Sequence, residues 1–320
     1  MYRILKPLVR LAMMIFCRKI IINRPEALKE KGPLLLASNH PNSFLDAVII
    51  NTLFRQTVWS LARGDAFRKP LHARLLKKLK ILPVYRTSEG VENLGINYDT
   101  FKACEGIFYK NGIVLIFSEG KCINEWHLRP LKKGTARLAV GCWEENIPLK
   151  VLPVGINYSS FRRFGKNIFL SFGTPITQND LDWNTSDGQR HLAFNSILKN
   201  QLEQMVFEIG KNDKKKQKEL LVKKPSAIKK ILLAIPALAG WLIHAPLYIP
   251  VKKFVIRKTK NNDHFDSIVI GLLLFTYPVY LLIITILLFI ILKSYWIFLL
   301  LLAFPIMAWS YVQVKGQLDR

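Results

Sequence analysis

The sequence predicts an α/β protein, with a mainly parallel β-sheet covered by helices on both faces and apolar segments at either end. Short apolar runs alternate with helical patterns through the middle of the 320-residue chain, which is typical of parallel sheets. Two uncharged stretches near the carboxyl end are long enough to cross a bilayer. The formal net charge of +25, in a chain that is 50% hydrophobic, indicates an anionic partner.

Residues 1–24 predict an amphipathic helix that lies in a membrane interface. The apolar run "LVRLAMMIFC" is broken by Arg10 and has no small-residue cleavage site, so it does not match a secretory signal. A short apolar run with basic residues around it fits an interfacial helix better. The alternative is an ordinary helix that covers the core of the domain that follows.

Residues 25–210 predict the α/β domain itself. The expected strands are the apolar runs at 34–38, 81–85, 113–117, 150–156 and 167–172. The expected helices lie at roughly 66–79, 92–110, 134–146 and 189–209. In a parallel sheet built this way, active sites collect where strands end and loops begin. Polar residues directly after these strands are therefore the first candidates for function.

Residues 211–230 form a lysine-rich linker, which predicts a domain boundary before a membrane region at 231–320. Within that region, the uncharged stretches 267–292 and 294–313 predict a hairpin of two transmembrane helices. The segment 231–249 contains two prolines and has basic clusters on both sides. Because basic loops stay on the cytoplasmic face, we expect this segment to be re-entrant or interfacial and the α/β domain to be cytoplasmic.

The cysteines and histidines form no recognisable metal or disulfide pattern. The four cysteines contain no C-x-x-C pair and do not cluster with the six histidines. Nucleic acid is a poor partner for the positive charge, because the basic residues are not interleaved with aromatic ones. We therefore expect no metal, no nucleic acid, and an anionic membrane as one partner.

His40 and Asp46 are a candidate catalytic pair in "LLLASNHPNSFLDAVII", residues 34–50. A histidine at the end of a strand can take a proton from an alcohol when a carboxylate fixes its tautomer and stabilises the imidazolium. The alternative is structural. Ser43 and Asp46 also satisfy an S-x-x-D capping pattern, which would make Asp46 a helix cap and His40 a loop residue.

Two further polar groups follow predicted strands. "ILPVYR" ends in Arg86, whose planar fork suits bidentate contact with a phosphate. "IVLIFSEGK" ends in residues 118–121, where Gly120 allows backbone amides to approach an anion and Glu119 is placed to bond a hydroxyl. A surface salt bridge for Arg86 and a simple turn at Glu119 are the structural alternatives.

These stretches resemble the phospholipid/glycerol acyltransferase superfamily, over about residues 8–180. The family's first block, an Asn-His followed by Asp, is matched by Asn39, His40 and Asp46. Its second block, an apolar strand that ends in Arg, is matched by "ILPVYR" with Arg86. His40 and Asp46 are separated by one residue more than in most members, so the pair is similar to that of a less common branch.

The third and fourth blocks of the resemblance come from "FSEGKC", residues 117–122, and from the proline-containing strand "VLPVG". The family's usual third block is Phe-Pro-Glu-Gly-Thr-Arg. Ser118, Lys121 and Cys122 stand here where Pro, Thr and Arg are usual. A cation is kept, one position earlier than in the family.

The resemblance implies a membrane-bound O-acyltransferase that moves a fatty acyl group from a thioester donor to a hydroxyl. His40 would be the general base and Asp46 would hold its ring. The residues that the resemblance assigns to substrate binding are Asn39, Arg86, Ser118, Glu119, Gly120 and Lys121, with Lys132 or Lys133 as further phosphate ligands. No metal or organic cofactor is implied, because the thioester is already activated.

The resemblance also implies the substrates. The donor would be acyl-CoA or acyl carrier protein, and the acceptor a glycerol phosphate or a lysophospholipid used in phospholipid synthesis. Two alternatives stay open: an acyltransferase that acts on a lyso-aminolipid, and a noncatalytic lipid-binding module on the same scaffold. The altered third block favours the noncatalytic module, whereas the presence of both His40 and Asp46 favours an enzyme.

Overall fold

A seven-stranded, mainly parallel sheet forms the centre of the protein. The computed structural model describes residues 2–85 and 94–319. The strands are β1 Cys17–Ile22, β2 Leu34–Ser38, β3 Val58–Arg63, β4 Ile81–Val84, β5 Ile113–Phe117, β6 Lys150–Tyr158 and β7 Lys166–Phe172. Their order across the sheet is β1-β7-β6-β2-β5-β3-β4, and the β6–β7 pair is antiparallel while the other pairs are parallel.

Helices cover both faces of this sheet. The helices of the described residues are α1 Tyr2–Phe16, α2 Phe44–Leu53, α3 Pro70–Lys78, α4 Leu94–Phe108, α5 Gly134–Glu144, α6 Asp187–Met205, α7 Lys214–Leu221, α8 Ala227–Lys258, α9 Phe265–Leu292 and α10 Leu300–Val314. In the central strand β2, Leu34 and Leu36 pack with α1 and α2, whereas Leu35 and Ala37 pack with α4, α5 and α6. A parallel strand buried on both faces is continuously apolar for this reason. The predicted fold class is confirmed.

Two strands were absent from the expectations drawn from sequence. Strand β1 lies in the segment assigned to the amino-terminal helix, and strand β3 lies in a segment left without an element. Both are short, and β1 carries Arg18 and Lys19 among its apolar residues, so its pattern does not differ locally from that of a basic helix. Pairing with β7 decides its conformation.

Helix α1 has one face on the domain and another that is exposed and apolar. Lys6 and Arg10 donate hydrogen bonds to carbonyl oxygens at the carboxyl end of α2, where cations are favoured. The exposed apolar side chains follow helical spacing and are Ile4, Leu8, Leu11 and Met14. The helix ends at Phe16, earlier than the 1–24 boundary expected from sequence. Its exposed apolar face supports a place in a membrane interface.

Within residues 2–85 and 94–319, three helices are long and apolar enough to cross a membrane. They are α8, α9, and α10 together with the turn before it, spanning Ala227–Lys258, Phe265–Leu292 and Tyr295–Val314. The last two coincide with the predicted hairpin. Part of the predicted lysine-rich linker forms α7.

Both ends of α8 are held near the α/β domain. Near its start, Lys229 Nζ donates to Gln313 Oε1, and Gln313 in turn donates to the carbonyl of Arg18 in β1. At its end, the carbonyl of Thr259 accepts a hydrogen bond from Arg162. Between these ends α8 contains three prolines, which bend helices. This arrangement favours a segment that enters the membrane or lies along it without crossing, which stays a prediction.

Cysteine labelling in intact membranes tests this topology. We expect Lys216→Cys and Lys258→Cys to be labelled from the same face, because α8 returns to the domain. Ser294→Cys, in the turn between α9 and α10, is the matched control and is expected on the opposite face, since α9 crosses once. Labelling of positions 216 and 258 from opposite faces would show that α8 crosses the bilayer.

Candidate active site

The loop between β2 and α2 carries the predicted pair at the carboxyl end of the central strand. Strand β2 ends at Ser38 and α2 begins at Phe44, so Asp46 lies in the first turn of the helix. The Ser43 side chain does not cap this helix. Its Oγ instead lies 2.6 Å from Nδ1 of His264, and the capping pattern recognised in the sequence does not operate through Ser43.

His40 and Asp46 are in direct contact. Nδ1 of His40 lies 2.8 Å from Oδ2 of Asp46, which is fully buried. A carboxylate only accepts hydrogen bonds, so Nδ1 carries the proton and Nε2 is left unprotonated in the neutral ring. In the part of the chain that the structure describes, Nε2 has no hydrogen-bond partner, and 17% of the histidine side chain is exposed. This is the tautomer that a general base needs.

A third residue, Tyr158, completes the array. Its hydroxyl donates to Oδ1 of Asp46 at 2.6 Å, and the backbone N–H of Asn42 donates to Oδ2 at 2.8 Å. Burial, and then the neighbouring Asp46 carboxylate, raise the pKa of Tyr158 well above its ordinary value. The phenol therefore stays protonated and continues to donate. Three donors surround the Asp46 carboxylate, which offsets the cost of burying its charge.

The His40 ring is also fixed from the side of β5. It stacks on Phe117 with 3.9 Å between ring centroids and an interplanar angle of 12°. The backbone N–H of His40 donates to Oε2 of Glu119 at 2.8 Å. Parallel pairing of β2 with β5 brings Ser38 opposite Phe117, so the residues that follow both strands meet at the same edge of the sheet.

Glu119 lies beneath the site and is buried. Its Oε1 accepts the backbone N–H of Arg129 at 2.9 Å, and its Oε2 accepts both His40 N–H and Arg129 Nη2, the latter at 3.2 Å. These contacts hold the histidine backbone in place. The hydroxyl contact expected from the sequence for Glu119 stays a prediction, because both carboxylate oxygens are engaged with protein groups.

Two other candidates for substrate binding are also bonded within the protein. The Asn39 side chain exchanges two hydrogen bonds with the backbone of Ile156, at 3.0 and 2.8 Å, and so ties the loop to β6. Ser118 is buried, and its Oγ accepts from Thr135 at 3.0 Å. These contacts engage the polar atoms of Asn39 and the hydroxyl of Ser118, and the substrate contacts expected of both residues stay predictions.

The exposed cations lie around Gly120. Gly120 has a φ of 67°, a conformation that glycine adopts without the strain that other residues meet. The backbone N–H of Lys132 donates to the carbonyl of Ser118, so Lys132 lies beside the turn. Lys121 and Lys133 are exposed near it. Arg86, the fourth predicted cation, lies outside the described residues.

The first turn of α9 contacts the same loop, and the sequence pattern did not predict this. Nδ2 of Asn42 donates to Oδ2 of Asp266 at 2.7 Å, and Asp266 forms a buried ion pair with Lys166 at the start of β7. Nδ1 of His264 contacts Ser43. An acidic residue at the entry of an otherwise uncharged helix was the only available signal for Asp266. The loop that carries His40 is therefore attached to the apolar carboxyl-terminal region.

Cys122 contacts the loop that carries His40, and its surroundings argue against a role as a catalytic nucleophile. Its Sγ accepts the backbone N–H of Ser43 at 2.9 Å. Burial, and then the Asp46 carboxylate, raise the pKa of Cys122, so it is a neutral thiol near pH 7. Among the described residues, no group of three or more His, Cys, Asp or Glu side chains is arranged to hold a metal ion.

Comparisons with known proteins find similarity to acyltransferases. Residues 19–157 match the family model described as Acyltransferase. Glycerol-3-phosphate O-acyltransferase 1 of Saccharomyces cerevisiae is 35% identical over 68 residues, which are 21% of this chain and 9% of the yeast protein. The crystal structure of the 1-acyl-sn-glycerophosphate (LPA) acyltransferase PlsC from Thermotoga maritima gives a TM-score of 0.43 at 15% identity. That alignment covers 63% of this chain and 80% of the Thermotoga chain.

Replacing Tyr158 by Phe tests the carboxylate array. The ring is retained while one donor to buried Asp46 is lost, so we expect the free energy of unfolding to fall by about 1–3 kcal/mol. Thermal unfolding monitored by circular dichroism measures this change. Tyr98→Phe is the control, because Tyr98 is 76% exposed. Equal stability of the two variants would mean that the Tyr158 hydroxyl does not support Asp46.

Proposed function

We propose that the protein is a membrane-bound O-acyltransferase, a proposal supported by the match of residues 19–157 to the Acyltransferase family model. It transfers a fatty acyl group from a thioester donor to a hydroxyl of a glycerol phosphate or a lysophospholipid. The observation that carries the proposal is the array of His40, Asp46 and Tyr158, which leaves Nε2 of His40 as an unprotonated base at the edge of the sheet. The chain spans only 9% of its yeast relative, so the substrates are inferred from the site.

The reaction begins with proton transfer from the acceptor hydroxyl to Nε2 of His40. The acceptor oxygen attacks the thioester carbonyl, and the tetrahedral intermediate then collapses with cleavage of the C–S bond. The His40 imidazolium returns its proton to the departing sulfur, so no proton or electron is gained or lost overall. Asp46 stabilises the imidazolium between these steps. General base catalysis of this kind contributes about 10²- to 10⁴-fold.

The cations on the β5 side of His40 are suited to an acceptor that carries phosphate. Lys121, Lys132 and Lys133 lie at or near the Gly120 turn, and Arg86 follows β4 in the sequence. Phosphate binding by such residues relies on charge-assisted hydrogen bonds. The donor is acyl-CoA or acyl carrier protein, and no metal or organic cofactor has a step in this mechanism.

The membrane supplies the acceptor when that acceptor is a lysophospholipid. The three apolar carboxyl-terminal helices and the exposed apolar face of α1 keep the α/β domain beside the lipid surface. We place this domain on the cytoplasmic face, because basic residues flank α8 on both sides. A lysolipid would then reach His40 without leaving the interface.

Acyl transfer by two variants tests the catalytic assignment. Purified protein is incubated with labelled acyl-CoA or acyl-carrier protein and a panel of glycerol phosphates, lysophospholipids and lyso-aminolipids. His40→Ala is expected to lower the rate by about 10²- to 10⁴-fold. Cys122→Ser, which keeps a hydrogen-bond acceptor for Ser43, is expected to retain most activity, since the thiol has no chemical role.

The outcomes separate the alternatives. If Cys122→Ser is inactive and His40→Ala is active, the mechanism uses a cysteine nucleophile and not His40 as a general base. Product only from lyso-aminolipids would assign the acceptor to that class. No product from folded, membrane-inserted protein with any substrate would favour a noncatalytic lipid-binding module.

Replacing Arg86 by Ala tests the acceptor site. We expect the KM for the phosphorylated acceptor to rise about tenfold or more, because a bidentate charge-assisted contact is lost, with the donor KM unchanged. Steady-state kinetics with each substrate varied in turn give both constants. Arg74→Ala on the exposed face of α3 is the matched control. A larger change in the donor KM would place Arg86 on the donor side.

A further inference from the structure

A cavity of about 840 Å³ lies where the α/β domain meets the carboxyl-terminal region. Its wall is formed by the β6–β7 turn, the carboxyl half of α8, α7 and the residues around the end of α10. Six of its side chains are cationic, namely Arg162, Arg163, Lys211, Lys214, Lys252 and Lys315. Asp263 and Asp319 are its only two carboxylates among the described residues. The volume is within the range of small-molecule sites.

Three of these cations have no ion-pair partner among the described residues. Within residues 2–85 and 94–319, Arg163, Lys252 and Lys315 form no ion pair with a carboxylate. Asp319 is engaged elsewhere, because it accepts the backbone N–H groups of Phe161 and Arg162 at 2.8 and 3.3 Å. The contacts of Lys315 are with aromatic rings. The cavity therefore has an excess of positive charge, with six cationic side chains and two carboxylates in its wall.

The environment of the cavity lowers the pKa of Lys315. Burial is the largest cause that lowers its pKa to about 7, and the neighbouring cations Arg163, Lys166, Lys252 and Arg18 contribute to the same shift. Like charges held together in a partly buried space destabilise a protein unless an anion binds between them. Bound phosphate groups would relieve this repulsion and form charge-assisted hydrogen bonds with the same side chains.

A residue of the cavity wall contacts the loop that carries His40. Asn124 lines the cavity and donates from Nδ2 to the carbonyl of Pro41, the residue after His40, at 2.7 Å. Trp126 lines it as well and donates to the carbonyl of Tyr158 at 2.6 Å. Hydrogen bonds thus connect the cavity wall to the residues that surround the reaction centre.

We infer that this cavity binds the phosphate-rich nucleotide end of an acyl-CoA donor, with its thioester directed to His40. The inference rests on the proposed acyl transfer. A ligand with a diphosphate and a further phosphate matches several unpaired cations, whereas a glycerol phosphate carries one phosphate group. The aromatic side chains Tyr248 and Tyr311 in the wall give the nucleotide base a surface to contact.

The topology assigns the two substrates to different flanks of His40. Strand β2 lies between β5 and β6 in the sheet. The cations proposed for the acceptor follow β5, whereas Arg162 and Arg163 lie in the turn after β6. A reaction between two phosphate-bearing substrates needs two anion sites that converge on one base, and the two flanks provide them.

Titration calorimetry with the full chain in detergent tests the inference. The probes are CoA, glycerol 3-phosphate and holo-acyl carrier protein. Lys252→Gln and Arg163→Gln are each expected to raise the dissociation constant of CoA about tenfold or more and to leave glycerol 3-phosphate binding unchanged. Lys253→Gln is the matched control, since Lys253 is the next residue of α8, is exposed and does not line the cavity.

Four outcomes would overturn the inference. In the first, the unmodified protein does not bind CoA, and in the second, neither variant changes the dissociation constant of CoA. In the third, the variants weaken the binding of glycerol 3-phosphate and not that of CoA. In the fourth, the variants weaken the binding of acyl carrier protein alone. Thermal unfolding of each variant checks that it is folded. If Arg163→Gln does not fold, the comparison of Lys252→Gln with Lys253→Gln is sufficient for the test.

The measurement of CoA binding does not depend on whether acyl transfer occurs. His40→Ala is expected to bind CoA as the unmodified protein does. Cavity-dependent CoA binding without acyl transfer to any acceptor would keep the site and reject the proposed function. Acyl transfer from acyl-CoA with a donor KM unchanged by Lys252→Gln would keep the function and reject the site.

Discussion

The buried carboxylate of Asp46 is the group on which the geometry of the site depends. An ionised carboxylate removed from water is costly unless donors surround it, and His40, Asn42 and Tyr158 supply these donors. Each donor comes from a different element or loop position, so the charge is satisfied only when β2, α2 and β6 are correctly assembled. The tautomer of His40 follows directly, because its Nδ1 must donate to that carboxylate.

The same loop joins the site to the membrane region. Asn42 contacts Asp266 in the first turn of α9, and Asp266 is paired with Lys166 in β7. Removing one partner of such a buried pair leaves an uncompensated charge, which is strongly destabilising. The position of α9 and the position of the His40 loop are therefore coupled.

Much of the architecture was readable from the sequence. The central strands β2 and β5 are continuously apolar, and the carboxyl-terminal helices are uncharged over the length of a bilayer, so both are recognised locally. Strand β1 was not recognised from the sequence, because it contains both basic and apolar residues and its conformation depends on pairing with β7. Glu119 was placed correctly at the end of β5, but its contacts with His40 and Arg129 depend on how two loops meet.

The sequence by itself determined the α/β class, the apolar carboxyl-terminal helices, and the presence of His40 and Asp46 after the central strand. Only the tertiary structure decided that Tyr158, 112 residues from Asp46, completes the carboxylate array, and that Asp266 contacts Asn42 across 224 residues. The reason is physical. Hydrophobic periodicity is a property of a few neighbouring residues, whereas a hydrogen bond between distant side chains exists only after sheet order and helix packing have brought their atoms together.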